Sequence, residues 1–214
     1  MAEMKIAVVG ATGRTGALVV EQALARGHRV TAVARRPEAV PVRHDNLQVA
    51  AADVLDRDAL LPALAGVEAV VSALGAAAGR EPTTVYSAGT RNLLAAMRAG
   101  GAGTIAVISA TPAGPRGELP FLERRVMMPV LDRFFGEAYA DMRRMEDILR
   151  TSDADWISVR PPRLIDRPGT GSYRVATEAP LPRARSITYP DLAMALLDVL
   201  DRRDLHRRAV TVAH

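Results

Sequence analysis

The sequence contains no cysteine. That excludes disulfides, thiolate catalysis and Cys-ligated zinc or iron–sulfur centres, and it suits a reducing compartment. The four histidines, His28, His44, His206 and His214, are scattered, so no metal cluster is visible. Aromatic residues make up only 4% of the chain, and its arginines are interspersed with acids. A solvated basic surface therefore explains the net charge of +4 better than a nucleic-acid interface does. No apolar run approaches the roughly 20 residues of a membrane span. The stretch from Met1 to Lys5 enters a strand directly, without the regions of a signal peptide. These absences predict a cytoplasmic protein with neither a nucleic-acid nor a membrane partner. Lysine is almost missing too: Lys5 is the only one, so nearly all the basic charge is arginine.

The chain has 214 residues and a 49% hydrophobic content, enough to bury a proper core. It reads as one domain over residues 1–214, with residues 163–189 as a small lobe. The organising stretch is Gly10-Ala11-Thr12-Gly13-Arg14-Thr15-Gly16, between the apolar run Ile6 to Val9 and a helical pattern beginning at Ala17. Strand, glycine turn and helix together make a dinucleotide cradle. The first glycine permits the tight turn, the middle one lets the backbone approach a pyrophosphate, and the last lets helix and strand pack closely. Free N–H groups at the helix N-terminus then face the phosphates.

Gly27 closes the helix, and residues 28–34 read as a second, buried strand followed by Arg35 and Arg36. An acid at this strand end would bind the ribose 2′-hydroxyl of NAD, whereas arginine accommodates a 2′-phosphate. The two guanidinium groups favour NADP(H), the alternative being two solvated loop arginines. A third strand, Leu47 to Ala51, leads to Asp53 and Val54. Asp53 either accepts from the adenine amine, with Val54 covering the ring, or caps the next helix. A fourth strand from Ala69 ends in Leu74 and Gly75, where a backbone can lie along the cofactor, and a helix follows from Pro82. In that helix, Tyr86 and Arg91 either face the cofactor or serve packing and surface.

The fifth strand, Thr104 to Ser109, continues into Ala110-Thr111-Pro112. Strand alternation predicts Ser109 and Thr111 on one side at the carboxyl end of the sheet, where substrate meets cofactor. Residues 118–151 read as helical with a break near Pro129 and an apolar stripe from Val130 to Leu149 that belongs to the core. A sixth strand, Trp156 to Arg160, stops at Pro161-Pro162. The proline- and glycine-rich stretch beyond it, with a short strand at residues 173–175, suits a substrate-covering lobe. A helix through Leu200 and a strand at residues 209–212 close the chain. The expected fold is α/β, a Rossmann-type doubly wound parallel sheet with a small C-terminal substrate-covering lobe.

Taken together, these residues resemble the atypical short-chain dehydrogenase/reductase superfamily, in its NmrA-like NAD(P)-binding group, over essentially the whole chain. Within it the likeness is greatest to the flavin reductase, or biliverdin IX beta reductase, family. It is carried by Gly10 to Gly16, Asp53-Val54-Leu55, Pro82-Thr83-Thr84-Val85, Arg91-Asn92, Pro161-Pro162, Thr170-Gly171-Ser172-Tyr173 and Asp191-Leu192. The resemblance implies NADPH use, with Gly10, Thr12, Gly13, Arg14 and Thr15 around the pyrophosphate and Arg35 on the adenosine phosphate. It also implies Asp53 and Val54 at adenine, and Leu74 and Gly75 along the dinucleotide. The chain departs from the reductases at Ala110, which separates Ser109 from Thr111, and at Met142 and Arg163, which stand where those proteins carry histidines.

Typical short-chain dehydrogenases use a Tyr-x-x-x-Lys pair whose lysine lowers the tyrosine pKa. Lys5 cannot play that part. The nearest imitation is Tyr139 with Arg143, and arginine does not shuttle protons. Sugar-nucleotide epimerase or dehydratase chemistry, which generally needs the pair and a larger C-terminal domain, is disfavoured. Reduction of a flavin, quinone or related conjugated acceptor needs only alignment with the nicotinamide. Ser109 or Thr111 would orient the reactants, and Arg163 and Arg174 could attract an anionic substrate. The alternative is a non-catalytic NADP(H) sensor that passes redox state to a partner. The expected assembly is a monomer or small homo-oligomer.

Overall fold

Buried strands alternating with amphipathic helices build the fold of the computed structural model, which describes residues 3–75, 82–114, 125, 128–177 and 181–214. The strands are β1 (Lys5–Val9), β2 (Arg29–Ala34), β3 (Leu47–Ala51), β4 (Ala69–Ser72), β5 (Thr104–Ile108), β6 (Asp155–Arg160), β7 (Arg163–Ile165), β8 (Arg174–Ala176), β9 (Ser186–Thr188) and β10 (Arg208–Ala213). The helices are α1 (Arg14–Ala25), α2 (Arg57–Ala63), α3 (Val85–Gly100), α4 (Met128–Arg150) and α5 (Tyr189–Asp198). The main sheet runs β3-β2-β1-β4-β5-β6-β10-β8, parallel except for β8, which pairs antiparallel with β10 at one edge. The strand order reverses between β1 and β4, opening a crevice at the carboxyl ends of the central strands, where ligands of such sheets bind.

Alternation along each strand divides the core between the two faces of the sheet. Ile6 and Val8 of β1 pack with Val19 and Val20 of α1 and with Leu192 and Leu196 of α5. Ala7 and Val9 belong to the opposite layer, with Leu60 of α2, Leu93 and Met97 of α3, and Met145 and Leu149 of α4. Covered on both sides, β1 is apolar from Ile6 to Val9, after the exposed Lys5, and β4 is apolar from Ala69 to Val71, before the buried Ser72.

Three expectations change in detail. The short β7 and β9 form a separate two-stranded parallel sheet, with Leu164 opposite Ile187. Three-residue strands give no periodic signal, so the sequence suggests neither. The long helix begins at Met128, with Pro129 in its first turn, where a missing N–H costs nothing. Residues 118–124 of the expected helix lie outside the described residues. Finally, the apolar stripe of α4 is core only toward its C-terminal end. Met145 and Leu149 are buried, whereas Val130 and Phe134 are more than half exposed.

Candidate functional site

The tight turn after β1 needs its first glycine. Gly10 has φ +81°, and a Cβ there would lie 2.7 Å from the carbonyl oxygen of Ala73 at the end of β4. A Cβ on Gly16 would collide with the carbonyl oxygen of Gly10, so the third glycine lets α1 approach its own entry turn. Gly16 is buried and does not line the crevice, so its part in a cofactor site is packing rather than contact. The N-cap of α1 is Gly13, without a side-chain cap, and no acid stands in the first turn. The N–H groups and partial positive charge of that turn are therefore left for a ligand.

The crevice has a volume of about 820 Å³. Gly10, Thr12, Gly13, Arg14 and Thr15 form its floor beside β1, and Leu74 and Gly75 line it after β4. Arg35 and Arg36 stand exposed at one end, and neither has an ion-pair partner among the described residues. Asp53 and Val54 follow them along the wall. Asp56, not Asp53, caps α2, accepting from the N–H groups of Asp58 and Ala59. Asp53 shapes its own turn by accepting from the Leu55 N–H at 2.9 Å, and Asn92 of α3 holds that turn by donating to the carbonyl of Val54 at 3.0 Å. Glycine turn, helix N-terminus and arginine pair thus fit a phosphorylated dinucleotide.

Arg14 reaches across the crevice mouth. Its guanidinium pairs with Asp166 and lies 4.3 Å from the ring centroid of Tyr189, the first residue of α5. Tyr189 and Leu164 line the crevice on that side. The opposite wall is held by a contact between helices far apart in sequence. The buried Asp141 carboxylate of α4 accepts from the N–H groups of Tyr86 and Ser87, from the Ser87 hydroxyl and from Arg144. This fixes the first turn of α3, which contributes Val85 and Tyr86 to the wall. Arg91 is exposed and outside the lining.

The two hydroxyls expected to handle the reactants are not paired on one side. β5 ends at Ile108, and residues Thr111–Ala113 form a short 3-10 turn, so strand alternation does not reach Thr111. Its hydroxyl donates to the carbonyl of Arg160 at 3.3 Å, and the residue lies outside the lining. Ser109 does line the crevice, but its Oγ is sealed from solvent with no hydrogen bond of normal geometry. The hydroxyl lies toward Glu146, which also accepts from Ser158 and from the Arg160 guanidinium, each at 2.8 Å. Burial pushes the Glu146 carboxyl up, and Arg160 with the two serines outweighs it, leaving the pKa below the usual range. Tyr139 is likewise outside the lining, its ring centroid 6.1 Å from that of Phe135.

Comparison with known proteins agrees with this geometry. The family described as NAD(P)H-binding matches residues 10–203. The uncharacterized protein YwnB of Bacillus subtilis is 30% identical over 98% of this chain and 98% of its own. The 3-diazoavenalumate denitrifying reductase of a Streptomyces species is 31% identical over 80% of this chain and 59% of its own. Among solved structures, the anaerobillin reductase ChuY of Escherichia coli O157:H7 superposes with a TM-score of 0.79 at 20% identity, covering 98% of this chain and 96% of that one.

Proposed function

The chain belongs to the NAD(P)H-binding family, and from that premise we propose that it is an NADPH-dependent reductase of a flavin, quinone or similar conjugated acceptor, close in kind to the flavin reductases. The observation that carries this reading is the continuity of the crevice. It runs from Arg35 and Arg36 past the glycine turn to an apolar end formed by Tyr86, Met142, Pro161 and Leu164. A dinucleotide anchored by its phosphates along the first part presents its nicotinamide to the second. NADPH supplies the hydride. The acceptor gains that hydride and one proton from water, giving NADP+ and the two-electron-reduced acceptor.

The protein's share is binding and alignment. Arg35 and Arg36 take the 2′-phosphate, Gly10, Thr12, Gly13 and Thr15 cradle the pyrophosphate, and Asp53 with Val54 holds adenine. Leu74 and Gly75 lie along the dinucleotide, and Leu164 and Tyr189 flank the acceptor end. No lysine-assisted tyrosine is needed, because an acceptor whose reduced form is a stabilised anion takes its proton from solvent. One relative is named a 3-diazoavenalumate denitrifying reductase, which supports a reductase.

Steady-state oxidation of NADPH with riboflavin, FMN and quinones tests the proposal. Turnover with at least one acceptor is expected. Tight NADPH binding without turnover on any of them would overturn it, and would favour a non-catalytic NADP(H) sensor, the reading that the sealed Ser109 hydroxyl suits better.

A further inference from the structure

Glu146 of α4 is 1% exposed and lies behind the crevice rather than in its lining. Its carboxylate meets Ser158 and Arg160, two residues that alternation puts on one face of β6. The Arg160 guanidinium grips it through Nε, at 2.8 Å, and through Nη2. Such a planar fork fixes direction as well as distance. The Ser109 hydroxyl, just after β5, lies toward the same carboxylate.

Both members of the pair lead directly to the apolar end of the crevice. Met142, one helical turn before Glu146, lines that end, and so do Pro161 and Pro162, which follow Arg160 in the chain. Arg160 also holds the turn after β5. Its carbonyl accepts from the Thr111 hydroxyl at 3.3 Å, and the carbonyl of Pro161 accepts from the Thr111 N–H at 3.0 Å. A Cβ on Gly114 would lie 2.9 Å from Arg160 Nη1, so the turn packs closely on the guanidinium. Helix α4, the end of β6 and the segment after β5 therefore meet at one buried ion pair.

Stability alone does not call for such a pair, because apolar residues of similar volume often hold a fold as well. What they do not supply is direction. Reacting atoms must be held roughly 3–3.5 Å apart and aligned, and a displacement of about 1 Å can cost about a hundredfold in rate. We propose that Glu146 and Arg160 are positioning residues, a brace that fixes Met142 relative to Pro161 and Pro162 and so aligns the nicotinamide with the acceptor. The proposal rests on the hydride-transfer reading above.

Exchanging both charges tests it, because Glu146→Met combined with Arg160→Met leaves neither ion unpaired. In the full-length protein this double variant is expected to bind NADPH within about twofold of the wild type, while kcat/KM for riboflavin or menadione falls about tenfold or more. An unchanged kcat/KM, or a fall matched by an equal loss of NADPH affinity, would overturn the brace. If the wild type reduces neither acceptor, hydride transfer is refuted, and the fluorescence of bound NADPH, which reports how firmly the nicotinamide is held, decides the matter. Weaker emission from the variant at unchanged NADPH affinity would uphold the brace, and any other result would overturn it. Glu146→Asp keeps the charges matched and draws the carboxylate back by one methylene, so the same readings apply to it if the double variant does not fold. Failure of both variants to fold would make the pair a purely structural one and overturn the proposal.

Discussion

The carboxylate of Asp141 accepts a hydrogen bond from the backbone N–H of Tyr86 at 2.9 Å, so a residue inside α4 caps the start of α3. A second N–H, of Ser87, donates to the same oxygen at 3.2 Å. The carboxylate therefore does for α3 what Thr84, its N-cap residue, does not do with its own side chain. It also sets the position of one crevice wall.

Removing that carboxylate leaves buried donors without an acceptor. Asp141→Ala is expected to cost about 3 kcal/mol of stability, lowering the urea midpoint, and to weaken acceptor binding more than dinucleotide binding. An unchanged midpoint would show that the cap is dispensable.

The arginine end of the crevice predicts cofactor choice. Arg35→Ala is expected to weaken NADPH binding about tenfold or more, the loss of one charge-assisted contact to phosphate, while NADH binding stays within about twofold. Titration calorimetry with both nucleotides measures this. Equal losses for both would place Arg35 away from the 2′-phosphate.

Gly16 predicts a different pattern, because it acts through packing. A Cβ there collides with backbone rather than with a flexible side chain. Gly16→Ala is expected to destabilise the fold by about 2 kcal/mol or more and to weaken NADPH and NADH alike, since the whole turn shifts. Thermal unfolding and the same calorimetry distinguish it from the Arg35 variant.

The acid limb of stability is predicted by Asp191. Its carboxylate is buried, which raises the pKa. Hydrogen bonds from the Thr170 N–H, the Thr188 hydroxyl, the Gly171 N–H and His214 outweigh burial and bring it down to about 2. The folded pKa is thus below the unfolded one of about 4. The contribution to stability is fully present above pH about 4 and is lost as pH falls toward about 2. Urea titrations across that range should show the decline in the wild type and a shallower one in Asp191→Asn.

Much of the frame was legible because its signals are local. The glycine turn, the strand runs and the arginines after β2 each occupy a few consecutive residues, and the relevant physics acts within them. Contacts between distant segments were not legible. Asp141 lies 55 residues from Tyr86, and Arg14 meets Asp166 only because α1 and the segment after β7 converge at the crevice mouth. Alternation does not place Ser109 and Thr111 on one side, because it holds only while a strand lasts and β5 ends at Ile108. That Asp53 is not the cap of α2 needed the bonds of Asp56, three residues on.

The central claim is that a hydride passes from bound NADPH to an acceptor at the apolar end of the crevice. Anaerobic single-turnover mixing of the NADPH-loaded protein with riboflavin or menadione, followed at the NADPH absorbance band, tests it most directly. The account predicts an exponential loss of that band in step with acceptor reduction, slowed when the transferred hydrogen is deuterium. A stable NADPH signal in the presence of bound acceptor would contradict it.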